Sequence, residues 1–143
     1  MDVSDLRKRI LRSLDDARKD AADRRVSGDK AATDYEKFLA DVAVPLFLQA
    51  ASVLCAEGHP FSINTPAGSV RLVSDHAPED FLELALDATA ASPQVMARTS
   101  LTRGRRGQLV DERPLAQDTS IEKLSEDDVS KFLIDEVRRL VVR

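Results

Sequence analysis

The chain of 143 residues has one cysteine, two histidines, five glycines and no tryptophan. Each scarcity closes a class of function. Cys55 alone cannot form an internal disulfide, so the core must hold the fold. A single domain of this length buries about two thirds of its unfolded surface and needs no such staple. A metal centre would have to be built from Cys55, His59 and the distant His76, one donor short of a structural zinc site. Ser74, Asp75 and His76 are the residue types of a nucleophilic triad, but sequence neighbours cannot generally supply separated nucleophile, base and orienting acid. No glycine-rich phosphate loop links a strand to a helix, because Gly104 and Gly107 fall between two strand-like segments. No metal, no cofactor and no catalysis are expected.

Long apolar runs are scarce as well. The longest, Val42 to Ala56, is interrupted only by the polar Gln49 and Ser52. It is about fifteen residues, short of the roughly 18 to 20 that cross a bilayer. At the N-terminus Asp2 and Asp5 precede Arg7, and no uninterrupted apolar run follows. The expectation is a cytoplasmic protein without a membrane segment. The net charge of −4 argues against a dedicated polyanion binder and says nothing about local patches.

What is present points to an α+β fold in one domain. Residues 33–58 read as a helix that other elements must cover. Tyr35, Phe38, Leu39, Val42, Leu46, Ala50 and Val53 recur at steps of three and four, with Thr33 and Glu36 as a capping box and Gly58 then Pro60 as a stop. Pro45 lies inside this pattern and predicts a kink, since it lacks an N–H and clashes with the preceding turn. Residues 3–26 read as a second helix of another kind. Val3, Leu6, Ile10, Leu14, Ala17 and Ala21 form a narrow stripe on a charged rod, with eight basic residues against six Asp once Asp2 is counted. Ser27-Gly28-Asp29 is the natural break between the two, although residues 29–34 remain helix-compatible and one rod from residue 3 to 57 is the alternative.

After Gly58 the texture changes to alternating segments: Phe61 to Asn64, Val70 to Leu72 after a type I turn at Pro66 and Gly68, Phe81 to Thr89, Val95 to Thr102 and Gln108 to Arg113. They predict an antiparallel meander of about five strands. Its apolar face carries Phe61, Leu72, Leu82, Leu84, Leu86, Val95 and Leu101, and the other carries Arg71, Glu83, Asp87 and Arg98 for water and cross-strand ion pairs. Ser125 begins a C-terminal amphipathic helix with Val129, Phe132, Leu133, Val137 and Leu140 on one face.

Two surfaces are candidates for function. The stripe of Val3, Leu6, Ile10 and Leu14 suits self-association into a homodimer, because one apolar edge cannot stabilise an isolated helix of this length. The expected role is a non-catalytic interaction or adaptor module that binds itself and a further protein. Alternatively, Arg98, Arg103, Arg105, Arg106 and Arg113 gather on one hairpin and suit a phosphate backbone, although no aromatic residue is interleaved for base stacking.

Overall fold

The computed structural model describes residues 2–89, 92–102 and 107–142. One helix, α1 (Val3–Ala56, 54 residues), spans about 80 Å at 1.5 Å per residue. The expected division into two helices does not occur. Gly28 lies inside regular α-helix, and so does Thr33, whose hydroxyl donates to the carbonyl of Asp29 at 3.0 Å instead of capping a new start. The residues around the glycine are good enough helix formers to absorb its cost of about 1 kcal/mol. Lys30 then ties the rod to the rest of the molecule, with Nζ 3.3 Å from Glu122 and 3.8 Å from Asp34.

The kink expected at Pro45 is not shown; Pro45 stands at the start of a regular helical stretch that follows an irregular one. Residues Leu39–Ala43 form a π turn, in which the Val44 N–H donates to the Leu39 carbonyl, and regular helix resumes over Val44–Ala56. A π turn takes an extra residue without advancing the helix face, so the buried positions shift by one. The stripe that reaches Tyr35 and Phe38 continues as Ala43, Phe47, Ala51 and Leu54, in place of the expected Leu46, Ala50 and Val53. Leu54 is 8 % exposed and Val53 62 %.

The strands follow as β1 (Phe61–Asn64), β2 (Ser69–Ser74), β3 (Phe81–Asp87), β4 (Gln94–Thr102) and β5 (Gln108–Pro114). They form one antiparallel sheet in chain order. The hydrogen-bonded β1–β2 turn is Pro66 to Ser69, one residue on from the expected Thr65 to Gly68: the Ser69 N–H donates to the Pro66 carbonyl, and Gly68 takes φ 77° at its third position. Segment Ala77 to Asp80 is a turn feeding β3. There the buried Asp80 carboxylate accepts from the Thr102 N–H at 2.7 Å, and the Ser100 hydroxyl donates to the Glu79 carbonyl at 2.7 Å. A short 3-10 turn (Ile121–Lys123) and helix α2 (Glu126–Val141) close the chain. Ser125 and Asp128 cap α2 reciprocally, and Val129, Phe132, Leu133 and Leu140 are buried.

The core therefore lies between the inner face of the sheet and the two helices. Val70, Leu72, Leu82, Leu84, Val95 and Ala97 meet Phe38, Phe47 and Leu54 of α1 and the buried face of α2. Strands β1 and β2, the 3-10 turn and α2 pack against α1 from Lys30 onward. The helix upstream of that point projects from the domain.

Candidate interaction surface

The projecting part of α1, from Val3 to Ser27, is roughly 40 Å of helix. Its apolar side chains have no cover: Leu6, Ile10, Leu11 and Leu14 are each about half exposed and Val3 is 80 % exposed. The four predicted residues Val3, Leu6, Ile10 and Leu14 are thus brought together on the rod, with Ala17 and Ala21 continuing the row. Leu11 belongs to the same surface and lies outside the stripe read from the sequence. Its signal was its place one residue from Ile10 and three from Leu14, beside the seam. The flanking charges are exposed too, including Arg18 and Asp15, whose ion pair spans 3.8 Å.

A second apolar surface lies at the opposite end of α1. Leu46, Ala50 and Val53 of α1 and Leu133, Ile134 and Val137 of α2 line a groove of about 540 Å³. Leu48 and Val53 are left exposed because the π turn rotates the helix beneath them, so the expectation that this helix is covered on nearly every side does not hold. By length and composition an 18-residue window of α1 is sufficient to cross a bilayer. Phe47, Ala51 and Leu54 nonetheless pack against the domain core.

The outer face of the sheet carries a row of alternating charge in register across four strands: Arg71 opposite Glu83, Glu83 opposite Arg98, Arg98 opposite Glu112. Glu83 is 5 % exposed, shielded by its two arginines. Arg71 pairs with it directly while stacking on Phe81 at 4.4 Å from the ring centroid, and Arg98 reaches Glu83 at 3.4 Å and Glu112 at 3.6 Å. Arg113 faces the opposite way. It stands across from Ala97 on the inner side, 3.7 Å from Glu136 of α2 and 5.8 Å from the Phe132 ring centroid. Arg98 and Arg113 therefore lie on different faces of the sheet, each held by a carboxylate. Arg103, Arg105 and Arg106 lie outside the described residues.

A cleft of about 570 Å³ lies beside Lys30 and Asp34, where Lys30 is already paired with Glu122 at 3.3 Å and with Asp34 at 3.8 Å. Among the described residues no group of three His, Cys, Asp or Glu side chains is placed to hold a metal ion. Cys55 donates to the Phe61 carbonyl at 3.3 Å.

Set beside known proteins, the chain matches no family model, no curated protein and no solved structure.

Proposed function

We propose that this chain is a non-catalytic interaction module that associates with itself through the projecting segment of α1. The carrying observation is the uncovered row of Val3, Leu6, Ile10, Leu11 and Leu14 on the stretch of α1 that projects beyond the domain. Tertiary packing of an apolar face is the usual source of helical stability in proteins, and the domain supplies none to this stretch. A partner helix supplies that packing. Covering the exposed half of each of the large side chains contributes about 1 kcal/mol apiece. Association itself costs roughly 4 to 15 kcal/mol, so the pairing is modest and concentration-dependent. A domain at the end of a long rod is then free to engage a further protein, for which the α1–α2 groove is the exposed apolar surface.

The reading is tested with two differently tagged copies expressed together. Co-purification from nuclease-treated lysate, lost on Leu6→Asp with Ile10→Asp, is the expected outcome. Absence of co-purification, or dependence on nucleic acid, removes it. The hairpin arginines as a phosphate-backbone site have less support, since Arg98 and Arg113 are both engaged by carboxylates and do not share a face.

A further inference from the structure

We infer that the partner of the projecting helix is a second copy running antiparallel to it, with the two-fold axis beside Leu11. This rests on the self-association proposed above and adds its orientation and register. The continuous helix lets one seam be followed through the segment at alternating steps of four and three: Val3, Arg7, Ile10, Leu14, Ala17, Ala21, Arg24. Leu6 and Leu11 flank it on either side.

Two arginines in this seam decide the orientation. In a parallel pair each seam residue meets its own copy, so Arg7 would face Arg7 and Arg24 would face Arg24. Such like-charge contacts at a seam disfavour that arrangement. An antiparallel pair that sets Ile10 level with Leu14 of the second copy removes both. Val3 then lies level with the second copy's Ala21, and Arg24 falls beyond the overlap. Arg7 comes over the second copy's Ala17, whose small side chain leaves room for it, and between that copy's Asp16 and Asp20. The two-fold repeats this contact at the other end. In the centre Ile10 and Leu14 of each copy pack on those of the other, and the two Leu11 side chains meet. Three of the four large half-exposed side chains are covered by one operation, while Leu6 lies level with the aliphatic stem of Arg18 of the second copy.

The register also fits the length available. The second copy's helix begins level with Ala22 or so, short of Lys30, where the rod meets the Ile121–Lys123 turn and the domain begins. The two domains end up at opposite ends of the assembly and do not collide.

The test uses the full chain with Cys55→Ser. Ser4→Cys and Arg18→Cys placed in one chain lie about 21 Å apart along the helix and cannot join within it. Antiparallel pairing brings each beside the other's counterpart, so oxidation is expected to give a disulfide-linked dimer only when both are present, while Ala21→Cys gives none. Charge exchange provides the second arm. Arg7→Asp, or Asp16→Arg with Asp20→Arg, is expected to weaken the dimer about tenfold or more, and all three together to restore it. A dimer that links through Ala21→Cys, or tightens on Arg7→Asp, is parallel and overturns the inference while leaving self-association in place. A chain that sediments as a monomer at every concentration overturns both.

Discussion

The Tyr35 hydroxyl donates a hydrogen bond to the carbonyl of Gly68 at 2.6 Å and so fixes the long helix to the first turn of the sheet. The ring is buried beside the core, and this burial, with the negative charge of Glu83 nearby, pushes the phenol up to about 12 from 10. A phenol with a raised folded-state pKa holds its proton after the unfolded chain has lost its own. The stability it contributes is therefore intact below pH 10 and lost as pH rises through about 12. Tyr35 is the only tyrosine in the chain, so its tyrosinate absorbance reports one group. Titration of the folded protein should show no ionisation near pH 10. Tyr35→Phe should cost about 1 kcal/mol at neutral pH by urea unfolding and flatten the alkaline loss.

Gly28 occupies an open position in regular helix, with nothing within 4 Å of where a side-chain carbon would stand. Gly28→Ala should stabilise the rod by about 0.5 to 1 kcal/mol, read as increased helicity by circular dichroism and slower amide exchange around residue 28. A flexible joint between two helices would instead be stiffened with little gain, or resist the change.

Glu83 holds the outer face together because two arginines converge on one nearly buried carboxylate. Glu83→Gln should cost about 1 to 3 kcal/mol in urea unfolding, as both guanidinium groups lose a charged acceptor. Arg98→Met should cost less, about 1 kcal/mol or below, since that side chain is partly exposed and Arg71 still pairs with Glu83.

The edge strand β5 is held to α2 by Arg139, 2.7 Å from Asp111 and 3.0 Å from Glu136. The hydrogen bond from Arg139 to Asp111 raises its already high pKa, so the guanidinium stays charged across the physiological range. Arg139→Met should loosen this edge first. Hydrogen exchange in β5 is expected to speed up by a larger factor than in β2 or β3, with a global loss of about 1 kcal/mol or less.

Much of the fold was legible in the residues, because the strands alternate cleanly. Leu82 and Leu84 point to the core and Glu83 away from it, which favours strand over helix for that segment and also gives the charge row with Arg71 and Arg98. The C-terminal helix was equally plain from Ser125 and its apolar face. The N-terminal half was harder. Gly28 and Thr33 carry the chemistry of a break and a cap, but the surrounding residues keep the helix running at a cost of about 1 kcal/mol, too small to end it. The kink expected at Pro45 is not shown, and the π turn at Leu39–Ala43 moves the buried face by one residue, from Val53 to Leu54. A strict 3.6-residue count through a π turn cannot register that shift. The stripe of Val3, Leu6, Ile10 and Leu14 was visible as a pattern. That nothing in the domain covers it was not, because sequence alone does not tell where the domain ends along a helix.

Sedimentation velocity across a range of micromolar concentrations tests self-association through the projecting helix most directly. The wild-type chain should move from monomer towards dimer as concentration rises. Leu6→Asp with Ile10→Asp should remain monomeric with an unchanged urea midpoint, since these residues touch nothing in the domain. A wild-type monomer throughout, or a dimer indifferent to both substitutions, would contradict it.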